Sequence, residues 1–278
     1  MNKILVMGSG SWGTALVKIL LESANMHVDW WVRSPDMAEY INTKGRNPKY
    51  LRSVKLDTNR LKASSDVQEL VAANDTILLV TPSAFVSDIL DQLTNEQLIG
   101  KKIISAIKGV EPKSLKIVGE YLIEHKGVNE SDFGVITGPC HAEEVAQEKL
   151  SYLTFASTST VFCEKMCAAL DCGYIKVTPS ADIYGTEISA VLKNVYAIAA
   201  GMCHSLGYGD NFQAVLVSNA IREIKRFIAA VHPIDRDADD SAYLGDLLVT
   251  AYSQYSINRT LGAMLGKGYS VKSALMDM

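Results

Sequence analysis

Long apolar runs and a surplus of positive charge are both missing from this chain of 278 residues. No stretch approaches the roughly 20 consecutive apolar residues of a membrane span, so insertion into a membrane is not expected. The opening MNKILVMGSGSWG has one lysine and a short apolar run, but glycines cut it before it reaches the length of a signal-peptide core. With Lys+Arg at 27 and Asp+Glu at 31 the formal net charge is −4, which argues against a nucleic-acid surface. Any anionic ligand must therefore be met by local basic groups. Cysteine is sparse and unpatterned: the thiols at positions 140, 163, 167, 172 and 203 form no C-x-x-C pair. They read as reduced thiols of a cytosolic protein, with Cys163, Cys167 and Cys172 on the buried side of a helix. The N-x-S/T sequons that start at Asn74, Asn129 and Asn258 mean nothing without secretion.

What is present is a globular composition, 48% apolar and 21% charged, in a chain long enough for two domains. In the first part, β-rich runs alternate with helix-like segments. KILVMG, HVDWWVR, DTILLVTP, KKIISAIKG and FGVITGP read as strands, and GTALVKILLES reads as an amphipathic helix. Such alternation predicts a parallel sheet with right-handed crossovers and helices on both faces, which YLTFAS and YIKVTP extend. From Ile183 onward Ala-rich and Leu-rich runs favour helices, and no strand returns. The expectation is an α/β fold: a Rossmann-type doubly wound sheet over residues 1–182, then an all-helical domain over 183–278. The loop HPIDRDADDSAYLGD interrupts the helices. Its Asp235, Asp237, Asp239 and Asp240 read as a solvated loop, not a metal site.

Gly8-Ser9-Gly10-Ser11-Trp12-Gly13 follows the first strand and opens the first helix. A lone G-x-G-x-x-G is a weak signal, but strand, glycine loop, helix and second strand in that order form the dinucleotide-binding unit. Gly8 permits the tight turn, Gly10 lets the backbone approach a pyrophosphate, Gly13 lets helix and strand pack closely, and the helix N-terminus offers oriented N–H groups. The end of the second strand discriminates cofactors. An acidic side chain there would bond the ribose 2′-hydroxyl of NAD, and this chain has Arg33-Ser34 instead. Arginine can neutralise a 2′-phosphate and serine can bond it, which favours NADP while leaving NAD open. Asp29 sits too early in the strand, and Asp36 lies past Pro35.

The segment EISAVLKNVYAIAAGM raises a question of polarity. Lys193, with Asn194 beside it, lies in a run so apolar that its ammonium is either snorkelling or placed. An unpaired buried ammonium is expensive, so a carboxylate partner, a ligand or a shifted pKa is expected. In YLGDLLVTAYS, Asp246 opens an apolar helix-like run, and Thr250 follows on the same face. A lysine held by that carboxylate could protonate a carbonyl oxygen as hydride reaches the carbon.

The blocks GSGSWGTAL, AIKGVE, GPCHAEE, VLKNVYAIAAGM, LGDLLVT and SINRTLGAMLGKG follow in this order from residue 8 to residue 268. Together they resemble the bacterial NAD(P)-dependent sn-glycerol-3-phosphate dehydrogenase family. The resemblance implies a 6-phosphogluconate-dehydrogenase-like arrangement of the two domains. It also implies reduction of dihydroxyacetone phosphate, a phosphorylated triose, to sn-glycerol 3-phosphate for phospholipid synthesis, by a cytoplasmic homodimer. It assigns Lys193 as the catalytic acid/base and Lys108 as a lysine between cofactor and substrate. Asn194 and Asp246 would hold substrate and catalytic lysine, with Thr250 as a substrate-side hydroxyl. Gly138 and Cys140, in the Gly-Pro turn, would face the substrate, as would Ser256, Ile257 and Asn258. Gly8, Gly10, Ser11, Trp12, Gly13, Arg33, Ala142 and Arg259 would line the cofactor. No metal is implied, because a protonated lysine can do what zinc does in other carbonyl reductases.

The chain departs from that pattern twice. The family usually reads Ser-Arg-Asn-Arg where this chain has Ser256-Ile257-Asn258-Arg259, and the displaced arginine is the one that clamps the substrate phosphate. Isoleucine has no donor, so the loss is expected to be about 2 to 4 kcal/mol. Beyond GYSVKSALMDM the family continues through further helices, so the helical domain is expected to be short. A 3-hydroxyacid dehydrogenase has a similar plan but does not predict GPCHAEE and LGDLLVT together. An NADP(H)-binding sensor that lost phosphate capture through Ile257 is the reading from another functional class.

Overall fold

The apolar strand KILVM becomes β1 (Lys3–Met7), and its glycine loop leads into α1 (Ser11–Glu22), whose inner face from Gly13 to Leu21 is buried. β2 (His27–Trp31) ends just before α2 (Pro35–Lys44). The helix start is set by Ser34, whose hydroxyl accepts from Met37 N, with Pro35 at the first position. Gly45, at φ 61°, stops the helix in the left-handed region. β3 (Leu61–Ser64), α3 (Val67–Ala72), β4 (Thr76–Leu79), α4 (Val86–Leu90), β5 (Lys102–Ser105), α5 (Val118–Lys126) and β6 (Phe133–Thr137) continue the alternation. α6 (Ala142–Ala146), β7 (Ser151–Ala156), α7 (Thr160–Leu170) and β8 (Ile175–Ser180) complete it.

This computed structural model describes residues 2–278. The strands form one sheet in the order β3-β2-β1-β4-β5-β6-β7-β8. The pairs β1–β2, β2–β3, β1–β4, β4–β5, β5–β6 and β7–β8 are parallel. The first six strands thus have the doubly wound dinucleotide-binding order, in which the direction of winding reverses between β1 and β4. YLTFAS and YIKVTP do extend the sheet, as β7 and β8, and Pro179 is tolerated because β8 is an edge. β3 is a strand that the sequence pattern does not announce. LKAS has little β propensity, and its place comes from pairing with β2 at the sheet edge. The core runs from Ile4, Val6, Leu16 and Leu20 through Trp30 to Phe155 and Ile175.

From Ile183 the chain is helical: α8 (Ile183–Ser205), α9 (Asp210–Val231), α10 (Asp246–Tyr252), α11 (Ile257–Gly266) and α12 (Val271–Asp277). Two compact units result, one running to Ile136 and resuming over Cys140–Ile183, the other comprising Tyr184–Met278 together with Thr137–Pro139. Two sequence expectations need correction. The segment read as a loop up to Asp246 contains a π-helical turn, Ser241–Gly245, that leads directly into α10. Cys172 is not on the helix that carries Cys163 and Cys167. That helix ends at Leu170, and Cys172 pairs by a bridge with Ile175.

Within the helical unit α8 and α11 meet backbone to backbone. A Cβ added to Gly262 would lie 2.0 Å from the Ile198 carbonyl oxygen, and one on Gly201 would lie 2.0 Å from that of Arg259. Only glycine permits that approach.

Candidate active site

The glycine loop is built as its spacing requires. Gly8 has φ +131°, and an added Cβ there would strike the Val80 carbonyl oxygen at 2.8 Å, at the end of β4 where the sheet changes direction. A Cβ on Gly13 would come within 2.3 Å of the Gly8 carbonyl oxygen, whereas one on Gly10 would meet nothing within 4 Å. Gly10 also stands at the N-cap of α1, where no side chain bonds the free N–H groups and no acid occupies the first turn. Open space, unsatisfied donors and the positive end of the helix dipole fit a phosphate. Ser11 and Trp12 are half-buried on the first turn.

Two residues that pattern reasoning missed hold this loop. The buried indole of Trp30 donates to the Gly8 carbonyl at 2.8 Å. Asn47, 1% exposed, donates to the Ser9 carbonyl at 3.0 Å and to Thr14 Oγ1 at 2.8 Å. Asn47 lies in an irregular segment whose register no periodicity reveals. Lys108, half-buried after β5, extends its ammonium over the Trp12 ring, 5.9 Å from the centroid.

At the end of β2 the Arg33 guanidinium lies 5.8 Å from the centroid of Phe85, a phenylalanine 46% exposed. Asp29 is engaged elsewhere. It is buried, ion-paired with Lys3 at 2.8 Å and bonded by Asn74 at 2.7 Å. Asp36 is in the first turn of α2, where its charge suits the helix dipole.

In the helical unit Lys193 is 3% exposed and Asp246 1% exposed, and the lysine Nζ is ion-paired with Asp246 Oδ1. The pair joins the middle of α8 to the first residue of α10. The π turn just before Asp246 is packed against Pro139, whose Cγ a Cβ on Gly245 would approach at 3.5 Å. Thr250 is brought beside Asp246 as its spacing predicts, but its hydroxyl donates to the Asp246 main-chain carbonyl at 2.6 Å. Thr250 Oγ1 is therefore left to act as an acceptor. Asn194 is half-buried next to the lysine, while Val195 is 59% exposed, so α8 is not apolar on a fully enclosed face.

Gly138 has φ +111°, a conformation that strains any side chain, and it belongs to the Thr137–Pro139 segment grouped with the helical unit. Cys140 is buried and not in a disulfide, and Ala142 opens α6. Ser256 caps α11, its hydroxyl accepting from Arg259 N at 3.2 Å. Ile257 begins the helix with 71% of its surface exposed, and Asn258 and Arg259 are half-buried behind it. Arg259 Nε is buried with no hydrogen-bond partner among the described residues. No group of three or more His, Cys, Asp or Glu that could hold a metal occurs among the described residues.

Residues 3–163 match the NAD-dependent glycerol-3-phosphate dehydrogenase N-terminus, and residues 182–278 match the C-terminus of the same family. The chain belongs to the NAD-dependent glycerol-3-phosphate dehydrogenase family. It is 35% identical over 272 residues to the glycerol-3-phosphate dehydrogenase (NAD(P)+) of Azotobacter vinelandii, covering 98% of this chain and 78% of that one. To the enzyme of the same name from Bacillus subtilis it is 35% identical over 281 residues, covering 100% and 80%. The crystal structure of glycerol-3-phosphate dehydrogenase from Coxiella burnetii superposes with a TM-score of 0.89 at 28% identity, over 99% of this chain and 83% of that one. The glycine loop of the first unit and the buried Lys193–Asp246 pair of the second are the features of this chain on which a functional reading rests.

Proposed function

We propose that this chain interconverts dihydroxyacetone phosphate and sn-glycerol 3-phosphate with NADP(H) as the preferred cofactor. The observation that carries the reading is the Lys193 ammonium, buried on an apolar helix and paired with the Asp246 carboxylate. A bound nicotinamide cofactor supplies hydride to the C2 carbonyl carbon. Lys193 gives its proton to the ketone oxygen, which becomes the alcohol, and is reprotonated from water. Asp246 aims the ammonium, and the burial of both side chains limits competition from water. Lys108, beside the glycine loop, offsets substrate charge between cofactor and triose. Asn194, Thr250, Gly138, Cys140, Ser256 and Asn258 complete the substrate contacts, and Ser11, Trp12, Ala142 and Arg259 the cofactor contacts. The domain division follows, with residues 1–182 binding cofactor and 183–278 supplying catalysis.

Arg33 supports NADP over NAD. It is exposed just past the end of β2 with its guanidinium over Phe85, while Asp29, earlier in β2, is ion-paired with Lys3 and Asp36 lies in the first turn of α2. No helix among the described residues is long and apolar enough to cross a membrane. The reading includes a homodimer working in the cytosol to supply glycerol 3-phosphate for phospholipids, its mass measurable by light scattering.

Ile257 sets the test. Its side chain is 71% exposed and offers no donor where the family's pattern has an arginine. Oxidation of NADPH in the presence of dihydroxyacetone phosphate is expected, and Ile257→Arg is expected to raise kcat/KM by about two decades through a charged phosphate contact. Tight NADPH binding with no turnover in the natural chain would overturn the reading in favour of a cofactor-binding protein.

A further inference from the structure

The segment that follows Lys108 closes on itself. The Glu111 amide donates to the Lys116 carbonyl at 2.8 Å and Leu115 N to the Glu111 carbonyl at 2.9 Å, while Val110 and Ile117 form an antiparallel bridge. Inside this loop the Glu111 side chain is completely buried. Its Oε2 accepts from Ser114 N at 2.6 Å and from Ser114 Oγ at 2.7 Å, and Lys113 N reaches both oxygens at 3.1 Å. The Ser87 side chain, on α4 in the connection after β4, bonds the same carboxylate. Burial works against its ionisation, but the Ser114, Lys113 and Ser87 donors outweigh it and hold the carboxyl down at about 2. The two connections touch again two residues earlier, where a Cβ on Gly109 would lie 2.2 Å from Ser83 Oγ.

We propose that Glu111 is a positioning residue for the reduction: its carboxylate latches the Lys108 loop to the connection after β4 and so fixes the Lys108 ammonium beside Trp12 and the glycine loop. The proposal rests on the reading that Lys108 lies between cofactor and substrate. A carboxylate suits the site because the Lys113 and Ser114 amides that face it can only donate, and the serine hydroxyls can turn to donate as well. Glutamine has the same shape but sets an NH₂ group where one carboxylate oxygen accepts from Lys113 N, which weakens the latch. Glu111 never meets substrate; it acts through the backbone that ends at Lys108.

The test is a double-mutant cycle on kcat/KM for dihydroxyacetone phosphate with NADPH, using Glu111→Gln, Lys108→Ala and the double variant, with Ser114→Ala as a milder break of the same latch. Melting is followed in parallel, and the cycle is repeated in an Ile257→Arg background so that slow turnover of the natural chain leaves it readable. Glu111→Gln is expected to lower kcat/KM about tenfold, and Ser114→Ala about threefold. In the Lys108→Ala background Glu111→Gln should lower it less than twofold, because the group it positions is gone. A loss that simply adds to that of Lys108→Ala, or no loss at all, overturns the proposal while leaving the Lys108 reading intact. Full activity of Lys108→Ala overturns the Lys108 reading and the proposal with it.

Discussion

Replacing Lys193 by methionine separates what the Lys193–Asp246 pair does for folding from what it does for chemistry. Both side chains are almost fully buried, at 4% and 1% exposed. Methionine fills nearly the same space, so little of the effect comes from a cavity. What remains is an Asp246 carboxylate with its cation removed, and breaking a buried pair from one side costs about 3 to 5 kcal/mol. Lys193→Met combined with Asp246→Leu removes both charges and should regain most of the stability, since replacing a whole buried pair is often neutral. Turnover behaves differently. Loss of a positioned proton donor is worth about two to four decades, and neither variant has one. Urea unfolding and NADPH oxidation on the same samples make the comparison, with NADPH affinity as a control that should stay within about twofold of the natural chain. If the double variant regained turnover along with stability, or if Lys193→Met kept turnover within tenfold, the assignment of Lys193 as proton donor would be wrong.

Gly13→Ala would drive a methyl group to 2.3 Å from the Gly8 carbonyl oxygen. NADPH affinity measured by fluorescence titration should fall at least tenfold as the loop shifts, and unchanged affinity would show that the loop does not hold the cofactor. Arg33→Asp should move the ratio of kcat/KM values from NADP toward NAD, and an unchanged ratio would mean that another group reads the 2′ position. Gly262→Ala, whose new methyl would sit 2.0 Å from the Ile198 carbonyl oxygen, should destabilise the chain by about 2 kcal/mol or more in urea unfolding as α8 and α11 are forced apart.

Much of the site was legible because its signals are local. Gly8, Gly10 and Gly13 mark a backbone that only glycine can follow, and Lys193 stands out against an apolar helix. Asp246 and Thr250 were readable as one face from four-residue spacing. The hydroxyl's actual bond, back to the Asp246 carbonyl, was not. Trp30, Asn47 and Phe85 could not be found the same way. Each acts on a residue 22 or more positions away, through contacts that exist only after β1, β2 and β4 are aligned. The π turn at Ser241–Gly245 escaped notice because its sequence follows an acidic, turn-rich run, and local composition there points to loop.

By itself the sequence determined the alternation of strands and helices, the glycine turn after the first strand and the presence of a lysine within an apolar helix, because period, glycine and charge act over a few residues. Tertiary structure decided which carboxylate met that lysine, how closely α8 and α11 could approach at Gly201 and Gly262, and which donors surround Glu111. Those outcomes depend on distances between segments far apart in the chain, and such distances are set only when the whole apolar surface has found its cover.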